Sequence, residues 1–296
     1  MDTVSIIMPC YNHGRFLSES IEGVLNQTYA DIELIIVDDH SGDNSIDIIS
    51  KYKGQDKRII SICHQKNLGV SKARNAGLAI SRGEFIGFCD ADDVWEHKKL
   101  AAQIEVLQNN REYGLTYCDA IIIDEGGIPT GLRFSDLCGG KRKMTGYLFG
   151  ELCLRNFINM QTVVFRKGCI QDSRLFNEGI KYVEDWLGWI MLARHHNFIY
   201  LDDPLARYRV HRNNTATLYK RGVEENRLKV YKEVIRHYPD LQAKLRSKIF
   251  YEIGIEYSLL GEKNEGRRFF ELSFKADMKN YRSLLRILFP KRSMSA

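Results

Sequence analysis

Over residues 1–105 four short runs rich in isoleucine, valine and phenylalanine alternate with segments of helical periodicity. The runs are Ser5–Met8, Leu34–Val37, Ile59–Ile62 and Phe85–Cys89; the helical segments carry Leu17, Ile21, Val24 and Leu25, then Ile46–Tyr52, then Ser71–Ile80. Runs without polar alternation suit strands covered on both faces, and strand–helix–strand order makes neighbouring strands parallel, because a parallel pair needs a crossover between its members. The expected fold class is therefore α/β, a mostly parallel central sheet flanked by helices. With 44% apolar and 27% charged residues in 296, the chain is too hydrophobic to stay disordered and long enough to bury a large core.

Residues 106–215 are less regular, with apolar runs at Leu115–Cys118, Ala120–Ile123 and Thr162–Phe165 and a helix from about Glu184, which reads as a mixed extension of the same sheet. From about 216 the pattern is helical, and Ile253–Leu260, Gly261 and Glu265–Phe274 form a helix-turn-helix hairpin. The expected organisation is thus 1–105, 106–215 and a helical region 216–296. Charge follows the same division: residues 216–296 hold 18 Lys and Arg against 10 Asp and Glu, a local +8, leaving −3 for the remainder. An acidic body without aromatic-basic interleaving or zinc-ligand spacing argues against nucleic-acid binding. The N-terminus lacks the basic start and long apolar region of a secretory signal, and no stretch approaches the roughly 18 apolar residues of a membrane span. Seven widely spaced cysteines, with no Cys-x-x-Cys pair, read as reduced thiols of a cytoplasmic protein.

Ligands of such sheets gather beyond the carboxyl ends of the strands. The residues placed there are Pro9-Cys10-Tyr11-Asn12, Asp38-Asp39-His40-Ser41 and Asp90-Ala91-Asp92-Asp93, so three strand ends deliver one aromatic ring and several carboxylates to a single edge. Asp90 and Asp92 have the charge and hardness to hold Mg²⁺ or Mn²⁺, ions that take one or two carboxylates and complete their shell with water and phosphate oxygens. Taken alone, an Asp-x-Asp is more often a solvated acidic turn. Asp93 is expected to cap a helix beginning near Trp95.

The chain carries Val4-Ser5-Ile6-Ile7-Met8-Pro9-Cys10-Tyr11-Asn12, Ser20-Ile21, Leu25-Asn26-Gln27-Thr28-Tyr29, Glu33 through Asp43, Asn67-Leu68-Gly69, Ala73-Arg74-Asn75-Ala76-Gly77, Gly83-Glu84-Phe85-Ile86 and Asp90-Ala91-Asp92-Asp93. In order and spacing these segments resemble the inverting family 2 glycosyltransferases of the GT-A fold. The strong part covers about the first third of the chain, with later islands at Glu184-Asp185-Trp186 and Tyr208-Arg209-Val210-His211. The resemblance implies a nucleotide-diphosphate-sugar donor, most simply a uridine one. Its contacts would fall to Pro9, Tyr11, Asn12, Asp39, Arg74, Asp90 and Ala91, with Tyr11 packing on the base and Asp39 accepting from the uracil ring. It also implies Mn²⁺ or Mg²⁺ held by Asp92, Asp90 and His211, and a general base, Asp185, at a helix start where backbone N–H groups stabilise a carboxylate.

The acceptor implied is a glycan or lipid-linked hydroxyl in surface polysaccharide synthesis. The Gln-x-x-Arg-Trp motif and membrane helices of processive synthases are missing from the sequence, so one sugar per encounter is expected. Residues 126–145, with the basic run Lys141-Arg142-Lys143, are expected to form a loop near the acceptor. A sugar-phosphate nucleotidyltransferase would want a Gly-rich, Arg-containing phosphate loop after the first strand, which Pro9-Cys10-Tyr11-Asn12-His13-Gly14 does not supply. A non-catalytic nucleotide-sugar-binding module would not need a base. Residues 279–292 hold five basic and no acidic residues, and Tyr281, Leu284, Leu285 and Leu288 recur at helical spacing opposite Arg282 and Arg286, a pattern suited either to peripheral contact with an anionic membrane or to docking on the preceding hairpin.

Overall fold

A computed structural model of the protein describes residues 2–137, 144–171, 174–212 and 220–288. The chain divides into two compact units. The first comprises residues 1–148, 157–178 and 188–212; the second comprises 149–156, 179–187 and 213–296.

The first unit is built on a nine-stranded sheet. Its strands are β1 (Val4–Cys10), β2 (Ile32–Asp38), β3 (Ile59–Cys63), β4 (Phe85–Phe88), β5 (Val94–Trp95), β6 (Tyr113–Ile123), β7 (Pro129–Arg133), β8 (Val163–Arg166) and β9 (Asn197–Arg209). They lie in the order β3-β2-β1-β4-β8-β6-β9-β5, with β7 paired to β6. The first four strands are parallel. Beyond them β8 runs antiparallel to both β4 and β6, and β9 runs parallel to β6. Every residue of β1, β2 and β4 is buried, including Ser5 and Glu33, where the serine Oγ donates to Glu33 Oε1 at 2.6 Å across the paired strands.

Helices α1 (Gly14–Leu25), α2 (Ser45–Gln55), α3 (Val70–Ile80) and α4 (Lys99–Asn109) follow β1, β2, β3 and β5 respectively. Helix α1 buries Phe16, Leu17, Ile21 and Val24, the i, i+4 stripe legible in the sequence. Gly77 lets α3 lie close on β1: a Cβ there would stand 2.5 Å from Ile7 Cγ2. Two sequence runs merge into the single strand β6, where Asp119 interrupts the register with β9 and holds Ser135 Oγ at 2.6 Å. A short helix α5 (Phe134–Leu137) follows β7.

The second unit is helical. It includes α6 (Phe149–Leu152), the first turn of α7 (Glu184–Ala193), α8 (Lys220–His237), α9 (Ala243–Leu259), α10 (Lys263–Ala276) and α11 (Tyr281–Leu288). Trp186 anchors it: its indole N–H donates to the Leu152 carbonyl at 2.6 Å and its ring meets Tyr231 edge-on at 5.0 Å. Helices α9 and α10 are the hairpin expected around Gly261, and they cross where a Cβ on Gly254 would meet Phe270 Cε1 at 2.5 Å and the Gly266 carbonyl at 3.0 Å.

Glu256 on α9 is fully buried, with Arg227 Nη2 of α8 2.7 Å from Oε1. Burial pushes its carboxyl up to about 7, against the pull of Arg227. A raised carboxyl keeps its proton longer folded than unfolded, so its contribution is present below the unfolded value of 4.5 and is lost as pH rises through about 7. Glu256→Gln is therefore expected to remove a decline of up to about 3 kcal/mol in unfolding free energy between pH 5 and pH 8. Urea denaturation of both proteins at the two pH values checks this, and identical slopes would refute it.

Candidate active site

The carboxyl ends of β1 and β2 meet by register at Cys10 and Asp38. Asn12 follows β1 with φ 57°, a left-handed conformation that asparagine tolerates better than most side chains. Its backbone N–H donates to Ser41 Oγ at 2.9 Å, and its Oδ1 accepts from Gly42 N at 2.7 Å, so the two strand-end loops are clasped together. Between them Tyr11 is 47% exposed, an aromatic face presented rather than packed away. Pro9 and Ala91 are buried, and the Ala91 carbonyl accepts from Ser20 Oγ at 3.0 Å.

Asp39 is buried beside this mouth and organises the loop before α3. Its Oδ1 accepts from Leu68 N at 2.8 Å and meets His64 Nδ1 at 2.7 Å; its Oδ2 accepts from Gly69 N at 2.7 Å. A carboxylate offers about four acceptor positions, so three protein partners leave one.

The loop after β4 carries the acidic triplet. Asp90 Oδ1 accepts from Arg74 Nη2 at 2.7 Å, and the Arg74 guanidinium lies over the Phe176 ring at 5.7 Å. Arg74, the fifth residue of α3, is thus the buried partner of Asp90. Asp92 turns the other way, to His211 Nε2 at 3.0 Å from Oδ2. The His211 ring packs on Phe16 at 5.1 Å and lies 6.3 Å from His13. Burial alone would raise the Asp92 carboxyl, but the His211 hydrogen bond and the positive charge of His13 and His211 outweigh it and hold the group below its ordinary value.

Asp93 is not the cap of a helix. Val94–Trp95 forms the edge strand β5, paired with Ala206 and Arg207 of β9, and α4 starts only at Lys99. The Asp93 carboxyl is buried and accepts from the Arg209 backbone N–H at 2.8 Å. Burial, with the negative charges of Asp92 and Asp90, drives it well above its ordinary value.

Arg209 was part of the Tyr208-Arg209-Val210-His211 island but received no role from the sequence. Its fully buried side chain ties three elements to the acidic loop. Nε donates to the Asp92 carbonyl at 2.8 Å, Nη2 to Glu19 Oε2 of α1 at 2.6 Å, and Nη1 to the carbonyls of Asp124 and Glu125 at 3.4 Å; the guanidinium covers the Phe16 ring at 4.8 Å. Lysine has neither the planar fork nor five donors. Arg209→Lys is expected to cost about 2 kcal/mol in urea unfolding by removing several of the hydrogen bonds that the buried guanidinium makes. Unchanged stability would refute the role.

Asp92 and His211 form an oxygen and nitrogen donor pair suited to a divalent cation such as Mn²⁺. Among the described residues no three His, Cys, Asp or Glu side chains cluster as a metal cage. Two protein donors fit an ion whose remaining positions are taken by phosphate oxygens and water. Asp90, held by Arg74, is not part of that pair.

Asp185 lies in the second unit, in the first turn of α7. Its Oδ2 accepts from Asn156 Nδ2 at 2.9 Å and its Oδ1 from Trp186 N at 2.8 Å, which fixes the carboxylate orientation. The basic run Lys141-Arg142-Lys143, expected near the acceptor, lies outside the described residues.

Residues 5–148 match the family model for Glycosyl transferase family 2. Over 240 residues the chain is 31% identical to an uncharacterized glycosyltransferase, EpsJ, of Bacillus subtilis (strain 168), covering 79% of this chain and 69% of that one. Its fold is similar to that of S. aureus TarS residues 1–349 in complex with UDP-GlcNAc, with TM-score 0.67 at 19% identity over 93% of this chain and 81% of the other. It is also similar to a mannosyltransferase, PcManGT of Pyrobaculum calidifontis, in complex with GDP-Man and Mn²⁺, with TM-score 0.63 at 16% identity over 98% and 88%. The chain belongs to glycosyltransferase family 2, with the GT-A-like α/β fold and additional C-terminal helices. Its reaction class is glycosyl transfer from a nucleotide-sugar donor.

Proposed function

We propose that the protein moves one sugar from a UDP-sugar to a hydroxyl of a glycan or lipid-linked acceptor, with inversion at the anomeric carbon and with help from a divalent metal. The observation that carries the reading is the convergence of exposed Tyr11, buried Asp39 and the Asp92–His211 pair on the strand ends of the first unit. Tyr11 supplies a flat face for the base. Asp39 has one acceptor position left for a ring N–H, and a base without that donor would leave a buried acceptor unpaired, which disfavours it. The UDP-GlcNAc bound by TarS and the Mn²⁺ bound by PcManGT support the donor and the metal.

Asp92 and His211 would hold the metal, and Arg74 holds Asp90 at the mouth beside them. When bound, a divalent ion supplies positive charge to a departing diphosphate, whose charge grows in the transition state. Asp185 removes the proton of the acceptor hydroxyl as its oxygen attacks from the face opposite the leaving group. The proton goes to the Asp185 carboxylate, and the bonding electrons of the donor C–O bond leave with the nucleoside diphosphate.

Calorimetric titration with UDP, GDP and CDP, each with Mn²⁺ and with EDTA, tests the reading. UDP binding that depends on the metal, followed by turnover of a UDP-sugar, is the expected result. A preference for GDP would overturn the uridine assignment; tight binding unchanged by EDTA would overturn the metal.

A further inference from the structure

Helix α11 presents its residues the wrong way round for a helix packed on its own unit. The side that meets the hairpin is polar: Ser283 is buried, with its Oγ 2.7 Å from Ser273 Oγ of α10. Asn280 Nδ2 adds hydrogen bonds to Ser273 Oγ at 3.1 Å and to Ser247 Oγ of α9 at 3.0 Å. The apolar side faces out, with Tyr281 66%, Leu285 49% and Leu288 59% exposed and Leu284 exposed beside them. Positions 281, 284, 285 and 288 follow i, i+3, i+4, i+7, the stripe a surface helix normally turns toward its core. Met278, just before the helix, is exposed on its approach.

Basic residues accompany the stripe. Exposed Lys279 lies just before the helix and exposed Arg282 within it, and residues 278–296 contain no Asp or Glu. An exposed apolar stripe beside Lys and Arg suits the boundary between headgroups and acyl chains, where leucines and tyrosine leave water and cationic heads meet lipid phosphates. A second copy of the chain fits less well. A two-fold pairing of this face would set its own cations against each other, whereas anionic headgroups neutralise them. Among the described residues no helix is long and apolar enough to cross a membrane, so the contact would lie in the interfacial plane.

We propose that the Tyr281, Leu284, Leu285 and Leu288 face of α11 binds the surface of an anionic lipid bilayer. Attachment is separate from sugar transfer, so it stands or falls independently of the function above. Sedimentation of the full chain with vesicles of phosphatidylcholine alone, and of phosphatidylcholine with phosphatidylglycerol, tests it. The protein is expected to pellet with the anionic vesicles and to bind at least about tenfold more weakly to neutral vesicles or at high salt. Leu284→Asp/Leu285→Asp is expected to abolish pelleting while leaving circular dichroism and nucleotide binding unchanged; Tyr281→Ser/Leu288→Ser serves the same purpose should the first variant misfold. Protein that stays in solution with anionic vesicles, binds both vesicle types equally, or pellets undiminished as a folded double variant would overturn the proposal. So would a dimer in solution that either double variant splits, because the face would then join two copies.

Discussion

Asp92→Asn is expected to lower kcat/KM for sugar transfer by about 10³-fold or more while leaving the protein folded. The side chain is the carboxylate beside His211 at the strand mouth, and asparagine keeps its shape but removes the charge that would recruit a divalent cation in the proposed reaction. Several kcal/mol of transition-state stabilisation attributed to a bound metal correspond to three or more powers of ten in rate. The variant should also lose the Mn²⁺ dependence of nucleotide binding, so titration with UDP in Mn²⁺ and in EDTA should give similar weak heats. Arg209 still grips the Asp92 carbonyl in the variant, so circular dichroism should be unchanged. A folded Asp92→Asn protein retaining Mn²⁺-enhanced binding and ordinary turnover would remove Asp92 from the metal site and leave the acidic loop a structural turn.

The donor half of the fold was legible because its signals are local. Each of β1, β2 and β4 carries a short apolar run, each is followed by its strand-end polar residues, and strand–helix alternation fixes neighbouring strands as parallel. The sequence pattern alone therefore places Tyr11, Asn12, Asp39, Asp90 and Asp92 on one edge. Asp93 was misread because its environment is made by distant residues. Val94–Trp95 pairs with Ala206 and Arg207, more than a hundred positions away, and that pairing turns an apparent helix start into an edge strand with a buried carboxyl. Arg209 was illegible for the same reason: an arginine near a strand end gives no sign that its partners will be Asp92, Glu19 and two carbonyls of the turn after β6. Asp39 shows a subtler limit. Its presence was readable, but its hydrogen bonds to Leu68 and Gly69, and its contact with His64, depend on how the loop before α3 folds back. Periodicity identified the apolar stripe of α11; which side meets the hairpin is set by Ser247, Ser273 and Asn280, whose polar contacts have no periodic signal.

Asp185→Asn is expected to reduce kcat by about 10³-fold with little change in donor affinity, within the range a general base contributes. The prediction separates chemistry from architecture because of how this carboxylate is held. Oδ2 accepts from Asn156 Nδ2 and Oδ1 from Trp186 N, and an asparagine in its place can keep only one of the two acceptors. Losing one such hydrogen bond costs about 1 kcal/mol, enough to shift a melting temperature slightly but not to unfold a unit anchored by Trp186 on Leu152 and Tyr231. A structural role would thus show as a small loss of stability with rates near normal. A base would show as near-native stability, normal UDP affinity and transfer reduced by orders of magnitude, because an amide cannot take up the acceptor proton at neutral pH. A folded variant with ordinary kcat, or one whose defect lies wholly in donor binding, would move the base elsewhere and leave Asp185 as the residue that orients the start of α7.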